Sequence, residues 1–271
     1  SLNLSVKDHI FFPTGRRKDI ALINFLSILD QDHPKFHIRI FLPQKNKFKS
    51  FFYYLRNIDY KLKKNRIFVY VWKNNFKLFL KNSLSKKGIY QTNLMFSYDP
   101  KSKFSRSLKK TNLTIGYLGH ARRERGFHLL PKIIKSLEKK KYSFKYLIQF
   151  SKISSDLIDT KTELYKLSRE NKRIKLINKY INNKEFIQCL KKVDIMPILH
   201  SANEINNITS GSAYSCVPYE IPFILPYGTN FIKNINKFKS FEKARNTDEI
   251  VEKIIKISKN FKFYIKNAKL N

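Results

Sequence analysis

Short β-rich runs alternate with amphipathic stretches along the whole chain, a pattern that predicts an α/β architecture with parallel strands. In the first part, 8–13 (DHIFFP), 36–43 (FHIRIFLP), 66–72 (RIFVYVW) and 93–97 (NLMFS) read as strands, and Pro43 stops the second. Between them, 19–30 carries Ile20, Ile23, Leu26 and Ile28 at roughly helical spacing. The stretch 47–58 also reads as a helix, as does 74–85 with Phe76, Phe79 and Leu80 on one face. Residues 99–112 are polar and basic, hold Pro100 and lack apolar periodicity, so they read as a linker.

The alternation then restarts. Strands are expected at 113–119 (LTIGYLG), 144–150, 173–178, 193–199 (VDIMPIL) and 222–226 (PFILP). Helices are expected over 127–140, 156–170, 183–192, 210–217 and 247–258. Pro131 fits only near a first helical turn, and Thr247 reads as an N-cap. Five strands with intervening helices predict a doubly wound sheet, so two α/β domains are expected, 1–105 and 106–271.

Charge changes the picture less than its size suggests. The 55 basic and 20 acidic residues leave a net +35, which first points to a polyanionic partner, nucleic acid or anionic membrane. Lys, however, is spread along the whole chain, and Lys, Asn, Ile and Phe share A/T-rich codons, so base composition explains the excess equally well. Arg is the more informative cation, and three of the 12 fall within Arg122–Arg125. Two Cys build neither a disulfide framework nor a multi-Cys zinc site and fit a reducing, cytoplasmic compartment. No His pair has helical metal-ligand spacing, so no metal and no cofactor are expected. The sequence lacks a Walker A loop, a nucleophile elbow and any recognisable nucleic-acid module. No signal peptide is evident, and the chain begins without Met, so an N-terminal piece is expected to be missing.

Two turns stand where such sheets bind ligands, outside the carboxyl ends of the strands. In 116–131, Gly116 and Gly119 would allow a tight turn and Gly126 would let a helix start close to a ligand. A helix start offers N–H groups and partial positive charge to phosphate, and Arg122, Arg123 and Arg125 add forked donors. In the second turn, 206–215, Thr209, Ser210, Gly211 and Ser212 would wrap another phosphate or merely cap a helix. His120 and His200 are candidates to line the cleft, whereas His128 is expected to pack on a helix face.

The stretch GYLGHARRERGFHLLP, followed by ITSGSAYSCVPYEIPFILP, resembles the C-terminal donor domain of GT-B glycosyltransferases of the glycosyltransferase-4 type. The glycine turn that grips the donor diphosphate in that family falls on Gly119, His120, Arg125 and Gly126. Ser210, Gly211 and Pro222 fall in register with the family's later Ser-Gly start and Pro turn, and VDIMPIL with its Asp-led strand. DHIFFPTGRRKD is similar to part of the acceptor domain of a bacterial subgroup. The resemblance covers about 110–260 well and 1–100 weakly. Where the family carries two Glu, the second holding the donor ribose, this chain has Asn207 and Ser215.

The resemblance implies a GT-B-like fold of two Rossmann-like domains with parallel sheets, the N-terminal one incomplete. It implies a metal-independent, retaining transfer of a hexose from a nucleotide-diphosphate sugar to a glycan or lipid-linked acceptor. The donor would contact Gly119, His120, Arg122, Arg123, Arg125, Gly126, Thr209, Ser210, Gly211 and Ser212, and no catalytic base is assigned. The excess positive charge would hold the protein near anionic lipid at the inner membrane face. Two readings compete: a truncated or degenerate homologue without activity, and, ranked well below, a basic nucleic-acid-binding protein.

Overall fold

A computed structural model describes residues 7–15, 34–40, 67–72, 89–92, 104–108, 112–200, 210–229 and 239–270. The chain divides into two compact units, Ser1–Met95 and Phe96–Asn271.

Among its described residues the first unit holds four parallel strands of one sheet, in the order β1 (His9–Gly15), β2 (Lys35–Ile40), β3 (Ile67–Trp72) and β4 (Ile89–Thr92). The period-2 alternation of side chains sets its two faces. Phe36, Ile38 and Val69 are buried. His9, His37 and Tyr70 project from the other face and form a hydrogen-bonded row across three strands, His9 Nδ1 to His37 Nε2 at 2.7 Å and His37 Nδ1 to Tyr70 Oη at 2.8 Å. The last strand lies one step upstream of the NLMFS run. The strand expected at 93–97 and the helices expected at 19–30, 47–58 and 74–85 lie outside the described residues.

Among its described residues the second unit contains six parallel strands: β5 (Thr114–Leu118), β6 (Lys145–Phe150), β7 (Ile174–Asn178), β8 (Met196–Pro197), β9 (Phe223–Pro226) and β10 (Phe241–Ala244). They pair as β5-β6-β7 and β10-β9-β8. Backbone bonds join the two sets between β5 and β8: Asp194 N–H donates to Thr114 O (2.8 Å) and Gly116 N–H to Ile195 O (2.9 Å). The order is therefore β7-β6-β5-β8-β9-β10, a doubly wound sheet whose topological switch point lies between β5 and β8. Residues 193–199 are all buried, yet only Met196–Pro197 pairs as strand. Gly116 lies inside β5 rather than in the turn after it.

Helices α1 (Leu130–Lys139), α2 (Ile158–Glu170), α3 (Asn183–Lys192), α4 (Gly211–Cys216), α5 (Thr247–Lys259) and α6 (Phe261–Leu270) flank this sheet. In α1, Leu130, Ile133, Ile134 and Leu137 form one buried stripe at helical spacing, and Pro131 sits in the first turn. A capping box between Asn182 and Glu185 starts α3. Asn246, not Thr247, caps α5: its side chain accepts from Glu249 N–H at 2.9 Å. An Asn whose amide oxygen reaches that third N–H is as good a cap as Thr, and placing it one residue earlier satisfies the first turn.

The expected linker is not one where it is described. Arg106 is buried and donates to Asp194 Oδ1 (2.9 Å), Leu190 O (3.2 Å) and Tyr219 O (3.1 Å). The other Asp194 oxygen accepts from Thr114 N–H at 2.8 Å. This polar cluster pins 104–108 beneath the amino ends of β5 and β8.

Candidate functional site

The turn after β5 crosses the carboxyl end of the sheet. Gly119 opens it at φ 145°, with its N–H donating to the backbone oxygen of Gln149 (3.1 Å) and to Oε1 of the same residue (3.1 Å). Gln149 Nε2 in turn donates to Lys179 O, so one buried amide ties the ends of β5, β6 and β7 together. Gly126 has φ 69°, and a Cβ there would lie 2.3 Å from Leu199 O. The glycine is needed because the turn folds down onto the end of β8.

Two short 3-10 turns, Arg123–Arg125 and Phe127–Leu129, precede α1. The N–H groups of Arg125, Gly126, Phe127 and Leu129 all donate to carbonyls within these turns. The helix expected to begin at 127 begins at Leu130, and the amides expected to meet phosphate are already used. An anion at this turn would be met by side chains.

Those side chains divide. Arg123 turns away, its Nε donating to Asp156 Oδ2 at 2.8 Å. Arg122 and Arg125 remain at the turn, with Lys152 from the loop after β6. Burial first, then the fields of Arg125, Arg122 and Lys152, hold the His120 imidazole below its ordinary pKa. Its Nδ1 lies 3.0 Å from Ser151 Oγ, and the Tyr117 hydroxyl donates to His120 O (3.0 Å). Lys152 was not legible as a site residue, because it lies far along the chain in a plain Lys-Ile pair.

At the switch point itself, Arg125 lines a small cavity with Tyr117, His200 and Ser212. Burial and then the nearby Arg125 push the His200 pKa down to about 4. Ser212 is therefore placed beside Arg125, whereas Ser210 is buried and caps α4, accepting from Ala213 N–H (3.3 Å). Gly211 is the first residue of α4. Ser215 is half-buried and donates to Gly211 O at 2.8 Å. Thr209 and Asn207 lie outside the described residues.

Beside this cluster, at the carboxyl ends of β5–β7, lies a cavity of about 270 Å³ lined by Gly119, His120, Gln149, Ser151, Tyr180 and Phe186. Tyr180 is 79% exposed there. Among the described residues, no group of three His, Cys, Asp or Glu side chains is placed to hold a metal. No helix among them is long and apolar enough to cross a membrane.

No protein-family model and no curated protein sequence matches the chain. Solved structures do. HepE from Anabaena in complex with UDP superposes with a TM-score of 0.66 at 10% identity, over 97% of this chain and 73% of that one. OtsA without ligand gives 0.64 at 10% identity, over 98% and 69%. The sucrose-phosphate synthase of Thermosynechococcus elongatus gives 0.61 at 10% identity, over 96% and 67%. A glycosyltransferase from Rickettsia africae gives 0.60 at 13% identity, over 96% and 70%. The likeness extends over both units, and together with the parallel topology and its switch point it establishes that this chain has the GT-B fold of glycosyltransferases.

Proposed function

We propose that the second unit binds the diphosphate of a nucleotide sugar and that the chain transfers the hexose to a glycan or lipid-linked acceptor. The observation that carries the reading is the convergence of Arg122, Arg125 and Lys152 on His120 at the switch point of a GT-B sheet. Three cations with no carboxylate among the described contacts of Arg122, Arg125 or Lys152 suit a dianionic ligand. The cavity beside Tyr180 and Gln149 then takes the nucleoside, with an aromatic ring for stacking and amide groups for hydrogen bonds.

In this reading the arginines do the chemical work. As the glycosidic bond to the diphosphate breaks, negative charge grows on the leaving oxygen. Arg125, fixed beside Gly119, and Arg122 stabilise that charge without reorganising. No metal is needed for that step, and retention of configuration follows the family resemblance. Residues 1–105 take the acceptor side and 106–271 the donor side. The net +35 favours residence at an anionic membrane face, each Lys near the surface adding about 1 kcal/mol.

A second reading has its own observation. Asn207 and Ser215 stand where the family carries its two Glu, Ser215 at the one that holds the ribose, and the Ser215 hydroxyl is spent on Gly211 O. A homologue that keeps the fold and some donor affinity, without turnover, fits those substitutions.

Calorimetry with a panel of nucleoside-diphosphate sugars, at low and near-physiological salt beside a random oligonucleotide, separates these readings from simple polyanion binding. Saturable binding of one nucleotide that survives salt supports the donor site. Binding of the oligonucleotide alone, lost in salt, overturns it. Product formation with a bound donor then divides enzyme from inactive homologue.

A further inference from the structure

The last helix, α6, is apolar on two sides. Phe261, Tyr264, Ile265 and Ala268 recur at helical spacing and are buried. The Tyr264 hydroxyl donates to the buried Glu242 carboxylate of β10, and Asn267 Nδ2 donates to Lys239 O at 2.8 Å. These bonds fix the rotation of the helix about its axis, so its opposite face points outward.

That outward face is not simply polar. Phe263 is 52% exposed and Leu270 is 60% exposed. They are seven residues apart and so fall on one line along the helix, with Lys266 and Asn267 between them. Lys262, Lys266 and Lys269 stand exposed along one flank of that line, and the helix contains no acidic residue. Among the described residues, Lys262 and Lys266 have no carboxylate partner. Lys269 lies 3.9 Å from Glu220 and donates to Ser105 Oγ at 2.8 Å. Behind the helix, Lys256, Lys239 and Lys253 share the single carboxylate of Glu242, at 3.0, 3.7 and 4.0 Å. Glu252 shares the outer face of α5 with Lys256 and Lys259 and offsets one of these charges.

Lysine alone says little, because it is spread over the whole chain. What singles out α6 is the pairing of two large apolar side chains, set in water on one line, with a border of cations. A nucleic acid would use the cations, but Leu270 offers its bases no aromatic face. A lipid surface uses both parts: acyl chains take up the apolar line and anionic headgroups meet the ammonium groups.

We propose that the outer face of α6 docks on a bilayer that contains anionic lipid, with Phe263 and Leu270 inserted at the acyl boundary and Lys262, Lys266 and Lys269 among the headgroups. The inference deepens, and rests on, residence of the protein at an anionic membrane face; it does not depend on the donor site.

The test is sedimentation of the full chain with vesicles of phosphatidylglycerol and phosphatidylethanolamine, with phosphatidylcholine vesicles as the neutral control. The parent should bind the anionic vesicles saturably and the neutral ones at least tenfold more weakly. The pair Phe263→Ser and Leu270→Ser should weaken binding to anionic vesicles at least about fivefold. The pair Lys262→Glu and Lys266→Glu should weaken it at least about tenfold. All four side chains are exposed, so thermal melts and nucleoside-diphosphate titrations should be unchanged. If the parent binds and neither pair weakens it, α6 is not the surface, and the membrane reading stands without it. A parent that binds neither kind of vesicle overturns both. Loss from the lysine pair alone, with a random oligonucleotide competing equally for the parent, also overturns the proposal, for α6 would then be a plain polyanion surface.

Discussion

The two ends of the second sheet treat charge in opposite ways. At the amino end, Arg106 and Asp194 are buried against each other, and the guanidinium donates to that carboxylate and to the carbonyls of Leu190 and Tyr219. At the carboxyl end, Arg122, Arg125 and Lys152 face one another around His120, and two histidine nitrogens lack partners. One end spends its polar groups on holding the chain together. At the other, the cations gather around one imidazole, and in the proposed reading a ligand would offset that charge.

The comparison breaks most sharply at Asp194. Replacing it with Ala strands a buried arginine, and about 3–5 kcal/mol of stability should be lost in urea melts. The double change Arg106→Met with Asp194→Leu should cost much less, since it removes both charges. If the single variant is as stable as the parent, the amino-end cluster is ornamental. Next comes Gly126→Ala, where a Cβ meets Leu199 O and the backbone sits at φ 69°. About 2–3 kcal/mol should be lost, read from the same melts, with the carboxyl-end turn as the part displaced.

Acid probes the carboxyl end, together with His37 of the first unit, whose pKa burial also lowers. The folded pKa of His200 is about 4, below its ordinary 6.5, so the unfolded chain binds the proton more readily between those values. Its contribution is fully present above pH 6.5 and is lost as pH falls toward 4, about 2 kcal/mol by pH 5. His120 and His128, also lowered, act in the same direction. His200→Phe should flatten the pH dependence between 6.5 and 5, and an unchanged slope would remove His200 as its source.

Much of this fold was legible. The β-branched and aromatic runs of β5, β6 and β7 and the apolar stripe of α1 dictate those elements directly. β10 was not, because its inward residues are Glu242 and Ala244. A buried carboxylate breaks the apolar alternation, and the Tyr264 hydroxyl and Lys256 (3.0 Å) that accommodate it come from α6 and α5. The stripe of Phe261, Tyr264, Ile265 and Ala268 in α6 was present in the sequence and overlooked. Arg106 reads as one more cation in a basic stretch, since its partner lies 88 residues away. The arginine triad was seen, but its division was not. Neighbouring residues on a 3-10 turn point in different directions, so only a structure shows Arg123 leaving for Asp156. Of the two roles the sequence left open for Ser210, the structure shows the cap on α4.

The most direct measurement is a calorimetric titration of the double variant Arg122→Ala and Arg125→Ala against the parent. The ligand is the nucleoside diphosphate that the parent binds best, and thermal melts run alongside. Affinity should fall at least tenfold, about 1.4 kcal/mol, while stability stays within about 0.5 kcal/mol, because these side chains are kept for the ligand. Unchanged affinity would contradict the account, and so would a variant that unfolds, for then the carboxyl end would be holding the chain together after all.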